Sequence, residues 1–66
     1  MDIQINGETR QIPQDTTLAS LLAAEGLGER RVAVEVNGEI VPRGRHQEQR
    51  LQSGDRIEIV HALGGG

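Results

Sequence analysis

VAVEVNGEIV, residues 32–41, is the stretch that decides the fold. Its first half alternates apolar and polar positions and places three valines on one side of an extended chain, which is typical of a half-buried β-strand. The pair Asn37-Gly38 then supplies residues that adopt positive φ readily, as a two-residue type I′ turn requires. The stretch therefore predicts a β-hairpin, and Pro42 ends its second arm because proline cannot donate a hydrogen bond to a sheet.

Further strands are predicted on both sides of this hairpin. Residues 3–12 alternate apolar and polar around another Asn-Gly pair, so they predict an opening hairpin. Downstream, residues 56–60 alternate again after a Ser-Gly-Asp turn. This second pattern predicts a final strand with Ile57 and Ile59 facing inward and Val60 facing outward.

One amphipathic helix is predicted between the two hairpins. Residues 15–17 are candidate N-caps, leucines at positions 18, 21 and 22 share one helical face, and Gly26 ends the stretch. The order of elements predicts an α+β fold, with one sheet and its helix packed on one face. The core is expected to combine the helix leucines with apolar strand residues: Ile3, Ile5, Ile12, Val32, Val34, Val36, Ile57 and Ile59.

The composition argues against several functions. A formal net charge of −3 and the absence of aromatic side chains disfavour nucleic-acid binding. Without cysteine, His46 and His61 are too few for a zinc site, and both are expected at the surface or an edge. Nothing resembles a nucleophile elbow or a phosphate loop, so we expect neither a catalytic residue nor a bound cofactor, and no enzyme activity.

The sequence also bears on location. Its first residues lack the basic start and apolar run of a secretory signal, and no stretch approaches the ~20 apolar residues of a membrane span. Cysteine is absent, which fits a reducing compartment. We therefore expect a cytoplasmic protein without a membrane partner.

The final residues, HALGGG, are the candidate functional site. One domain is expected over residues 1–63, followed by a flexible tail of Gly64, Gly65 and Gly66. Glycine lacks Cβ, so a partner could close around the tail in a narrow tunnel and reach the terminal carboxylate of Gly66. The alternative is a frayed terminus without a role. The chain has no cysteine or lysine whose side chain could attack an activated acyl end. A candidate docking patch of apolar residues adjoins the tail: Ala33, Val60, Ala62 and Leu63.

With these features the chain resembles the ThiS family. Members of this family are small sulfur carriers for synthesis of the thiazole of thiamine, and they belong to the ubiquitin-like β-grasp proteins. The most specific signal is VNGEIVPR followed by SGDRIEI. One departure lies at residues 44–46, Gly-Arg-His, where family members often carry an aromatic residue. The resemblance covers nearly the whole chain: IQINGE at 3–8, TLASLL at 17–22, VAVEVNGEIVPR at 32–43, LQSGDRIEIV at 51–60 and the glycines at 64–66.

The resemblance implies a mixed sheet of four to five strands and a defined chemistry. An adenylating partner of the ubiquitin-activating type would activate the Gly66 carboxylate with ATP, which that partner binds. A persulfide donor would supply sulfur, and thiazole synthase would consume the resulting thiocarboxylate. Three alternatives stay open: a molybdopterin synthase small subunit with the same terminal chemistry, a ubiquitin-like protein modifier, and a passive binding module.

Overall fold

The computed structural model describes residues 1–61. Predictions about residues 62–66, which include the tail glycines, lie outside the described residues. The described elements follow the predicted order of two hairpins, an intervening helix and a final strand. They are β1 (Asp2–Ile5), β2 (Glu8–Gln11), α1 (Leu18–Ala24), β3 (Val32–Val36), β4 (Glu39–Val41), a 3₁₀ turn (Arg43–Arg45) and β5 (Arg56–His61).

The five strands form one mixed sheet in the order β2-β1-β5-β3-β4. β5 lies at its centre, parallel to β1 and antiparallel to β3. The two hairpins therefore do not pair with each other, and the last strand joins them. This arrangement confirms the predicted α+β fold, and it places the final strand between neighbours on both sides.

Both hairpins turn through two residues with positive φ. Asn6 and Gly7 have φ values of 50° and 86°, and Asn37 and Gly38 have values of 53° and 87°. This is the type I′ geometry, which matches the right-handed twist of the flanking strands. The turn type predicted from the two Asn-Gly pairs is confirmed.

The helix α1 depends on the rest of the fold, because seven residues are too few for a stable isolated helix. Its N-cap is Thr17, whose Oγ1 accepts a hydrogen bond from the Ser20 amide at 3.1 Å. Its first two amides, those of Leu18 and Ala19, donate to the carbonyls of Gln49 and His46 at 2.8 and 2.9 Å. The segment after β4 thus satisfies a helix end that would otherwise lack partners.

The core lies between this helix and one face of the sheet. Two predicted members, Ile12 and Val32, are only partly buried because they lie outside or at the end of their strands. Val41 and Leu51 are buried in addition to the predicted set. In the part of the chain that the structure describes, the buried apolar residues are Ile3, Ile5, Leu18, Leu21, Leu22, Val34, Val36, Val41, Leu51, Ile57 and Ile59.

The expectation that both histidines lie at the surface or an edge is wrong for His46, which is only 6% exposed. Its Nε2 donates to the carbonyl oxygen of Val41 at 3.0 Å, while its own carbonyl accepts the Ala19 amide. The segment that contains His46 thus meets both the end of β4 and the start of α1. His61, at the end of β5, is exposed as expected.

Among residues 1–61, no helix has both the length and the apolar character needed to cross a membrane.

Candidate functional site

The described part of the candidate site is the C-terminal half of β5, which leads toward residues 62–66. Val60 is 59% exposed, and Ala33 lies directly opposite it on β3 and is also exposed. The structure thus brings together two of the four predicted docking residues. The other two, Ala62 and Leu63, and the tail residues Gly64, Gly65 and Gly66 lie outside the described residues.

Successive residues of β5 point to opposite faces of the sheet. Ile57 and Ile59 are buried beneath α1, whereas Glu58 and Val60 are exposed on the other side, which we call the outer face. This alternation confirms the predicted orientation of the strand. Any partner that approaches the outer face therefore meets Val60 without disturbing the core.

The outer face carries a second exposed hydrophobic residue that was not predicted as part of the site. Ile40 on β4 is 68% exposed, and it pairs with Glu35, which in turn pairs with Glu58 on β5. The sequence could have indicated that Ile40 faces outward, because it directly precedes the inward-facing Val41 and side chains alternate along a strand. The register needed to relate it to Val60 comes only from the sheet.

Asn6 holds β5 beyond the point where β1 ends. The last β1 residue, Ile5, pairs with Ile57, and the backbone amide of Asn6 donates to the Ile57 carbonyl at 2.9 Å. The Asn6 side chain hydrogen-bonds to both backbone groups of Ile59. Its Oδ1 accepts from the amide at 2.7 Å, and its Nδ2 donates to the carbonyl at 3.2 Å. A side-chain amide therefore extends the parallel pairing of β5 by two residues.

Asn37 performs a related role at the start of β5. Its Oδ1 accepts a hydrogen bond from the Arg56 amide at 2.9 Å, and its Nδ2 donates to Asp55 Oδ1 at 3.0 Å. The other oxygen of Asp55 accepts the Gln52 amide at 2.8 Å. Each hairpin turn thus contributes one asparagine to the central strand, and β5 is anchored near both ends. The sequence identified both asparagines as turn residues only.

The described residues were compared with the requirements of a metal site and a ligand pocket. Within residues 1–61 no three histidine or acidic side chains converge into a metal-binding group. A shallow hollow of about 220 Å³ on the outer face is lined by Glu35, Gly38, Arg56 and Glu58.

Three matches to known proteins cover all or nearly all of the chain. The model of the ThiS family matches residues 3–66. The sulfur carrier protein ThiS of Bacillus subtilis (strain 168) is 43% identical over 65 residues, which cover 97% of this chain and 98% of that protein. The crystal structure of the thiamine biosynthesis protein ThiS from Geobacter metallireducens superposes with a TM-score of 0.86 at 28% identity, covering all of both chains.

Two further relatives are much longer proteins named thiazole synthase. Those of Paramagnetospirillum magneticum and Magnetococcus marinus are 42% and 44% identical to this chain over all 66 of its residues. The chain spans 20% of the length of each of these two relatives. In both organisms, a segment similar to this chain is therefore part of a protein named for thiazole synthesis.

Proposed function

From the chain's membership of the ThiS family, we propose that it is a sulfur carrier of thiamine biosynthesis whose working group is the carboxylate of Gly66. The observation that carries the proposal is the family match, which runs from residue 3 through the last glycine. In this function the protein is a co-substrate of enzymes and performs no catalysis itself.

The chemistry begins with activation of the carboxylate. A Gly66 oxygen attacks the α-phosphorus of ATP on an adenylating partner, pyrophosphate leaves, and an acyl adenylate forms. The terminal sulfur of a persulfide then attacks the acyl carbon and expels AMP, which gives an acyl disulfide. A thiol attacks the outer sulfur of that disulfide, so a new disulfide leaves and the Gly66 thiocarboxylate remains.

Several features of the chain support this assignment. β5 is paired on both sides, and Asn6 extends its support to Ile59, so the strand is a firm base for the residues that follow. The sequence has no cysteine or lysine to divert an activated acyl group through its own side chain. A reducing cytoplasm suits both the persulfide and the thiocarboxylate, since each is readily oxidised.

The proposal includes two protein partners besides the persulfide donor. The first is an adenylating enzyme of the ubiquitin-activating type, which would receive Gly64, Gly65 and Gly66 in its active site. The second is thiazole synthase, which would take sulfur from the thiocarboxylate. Support for the second comes from the two long relatives of that name. The docking patch proposed for these partners consists of Ala33, Val60, Ala62 and Leu63.

Intact-mass analysis tests the function directly. The full chain is incubated with ATP, the adenylating partner and a persulfide source, after its mass has shown that Gly66 bears a free carboxylate. We expect a mass change equal to the exchange of one oxygen for sulfur, located in the C-terminal peptide. Attachment to other proteins would instead identify a modifier, and an unchanged mass would contradict the proposal.

Glycine variants provide matched controls for the same assay. Gly65→Ala adds a Cβ next to the reacting residue, and one residue added after Gly66 removes the required terminus, so both should block or strongly slow sulfur transfer. Gly44→Ala is the control, because a Cβ there meets no heavy atom within 4 Å and its φ is not positive. Full transfer to the chain extended beyond Gly66 would contradict the terminal-carboxylate chemistry.

A further inference from the structure

The two exposed large hydrophobic residues among residues 1–61 lie on the same side of the sheet. Ile40 and Val60 are both on the outer face, opposite the helix, and Ala33 lies beside Val60. Isolated exposed apolar residues are ordinary, but two of them on one face of a five-stranded sheet form a surface that another protein can cover. We call this surface the outer-face patch, formed by Ala33, Glu35, Ile40, Glu58 and Val60.

Two carboxylates occupy the middle of the outer-face patch. Glu35 and Glu58 are direct partners across β3 and β5, which puts their Cβ atoms roughly 5 Å apart. Like charges in this position destabilise a sheet. The repulsion between the Glu35 and Glu58 carboxylates therefore does not stabilise the fold.

No cation within residues 1–61 forms an ion pair with either glutamate. The ion pairs in this range join Arg10 to Glu25 and Arg50 to Asp15, away from the outer-face patch. Arg56 lines the same shallow hollow as the two glutamates, but it does not approach either carboxylate within ion-pair distance. The pair thus presents a concentrated negative charge between two apolar residues.

We propose that the outer-face patch is the docking surface for thiazole synthase, and that Glu35 and Glu58 together receive one arginine or lysine side chain of that enzyme. This inference rests on the proposed function, and it extends the docking surface from Val60 and Ala33 to β4. Two proteins named thiazole synthase contain a segment similar to this chain, which favours that enzyme as the partner.

The charge pattern explains why a basic, partly apolar surface of the partner fits the outer-face patch. A cation placed between the carboxylates converts their repulsion into two attractions, and Ile40 and Val60 shield it from water as they become covered. Arginine is common at the centre of such interfaces. A second copy of this chain fits poorly, because a twofold contact through this face would bring two acidic pairs together.

The test compares two double variants with the same change in net charge. Glu35→Gln with Glu58→Gln removes the acidic pair, while Glu29→Gln with Glu39→Gln removes two exposed glutamates outside the patch. Affinity for the thiazole synthase of the same source organism is measured by calorimetry at low and high salt. We expect about tenfold weaker binding for the first variant and less than twofold for the second. The difference in affinity between the two double variants should become smaller at high salt, because salt screens the charges.

The remaining measurements separate this inference from the proposed function. The melting temperature of the Glu35→Gln, Glu58→Gln variant should stay the same or rise, so weakened binding cannot be attributed to unfolding. Unchanged affinity, equal weakening in both double variants, or self-association of the chain that Val60→Asp abolishes would each overturn the inference. If any of these occurred while the wild-type chain still acquired sulfur, only the docking surface would be wrong. A wild-type chain that never acquires sulfur would instead contradict the proposed function.

Discussion

At the scale of single residues, Asn6 and Asn37 show why asparagine stands at both turns. Each opens a type I′ turn at positive φ and also hydrogen-bonds to the backbone of β5. Glycine would satisfy the backbone conformation but has no side-chain amide, and aspartate would lack the N–H donor. Only an amide on a short side chain meets both requirements.

Replacement of Asn6 by glycine isolates the contribution of that amide. Asn6→Gly keeps the turn unstrained but removes both hydrogen bonds to Ile59, so we expect the free energy of unfolding to fall by about 1–2 kcal/mol. Urea denaturation measures the loss, and hydrogen exchange should show faster exchange of the Ile59 amide. Asn37→Gly is the control, because it should release the Arg56 amide instead. An Ile59 amide protected equally in both variants would contradict the anchoring role of Asn6.

At the scale of the element, β5 separates the stability of the fold from its contacts with other proteins. Its inward residues lie in the core, while its outward residues lie on a face that no other described element covers. Because the period of a strand is two, neighbouring positions on one strand can have opposite roles. Val60 and Ile59 are such a pair.

Introduction of aspartate at these two positions should have very different effects. Val60→Asp places the charge in water and should change the free energy of unfolding by at most about 1 kcal/mol, while it weakens docking. Ile59→Asp buries an unpaired carboxylate and should unfold the chain. Circular dichroism with urea titration distinguishes the two outcomes. Unfolding by Val60→Asp would mean that its side chain faces the core.

At the scale of the whole molecule, the core is small and contains no aromatic residue. Within residues 1–61, the buried apolar set comprises eleven aliphatic side chains. Typical stabilities per residue give a chain of 66 residues roughly 3–10 kcal/mol of unfolding free energy. A single deletion in this core therefore removes a large fraction of the total.

Two isoleucine-to-alanine variants test this estimate. Ile57 is 1% exposed at the centre of the sheet, so Ile57→Ala should lower the free energy of unfolding by about 2–5 kcal/mol and leave part of the population unfolded. Ile40→Ala, at the exposed position on β4, should lower it by less than about 1 kcal/mol. Thermal and urea unfolding measure both changes. Similar losses at the two positions would contradict the placement of the core on one face only.

Local sequence determined the hairpins, the helix and the faces of the strands. Asn-Gly pairs favour type I′ turns, alternation sets which side chains point inward, and leucine spacing sets the face of α1, and all of these act between residues close in the chain. The sequence also provided the family resemblance that led to Gly66.

Only the tertiary structure decided which distant residues meet. Asn6 and Ile59 are 53 residues apart in the chain, and their contact exists because β5 inserts between β1 and β3. The same insertion aligns Glu35 with Glu58, while His46 is buried where the segment after β4 meets the start of α1. Periodicity gives each strand its two faces, but strand order and register arise from the packing of all elements together. The strand β5 and its two faces could therefore be predicted from sequence, whereas its central place in the sheet and the charged surface on its outer face could not.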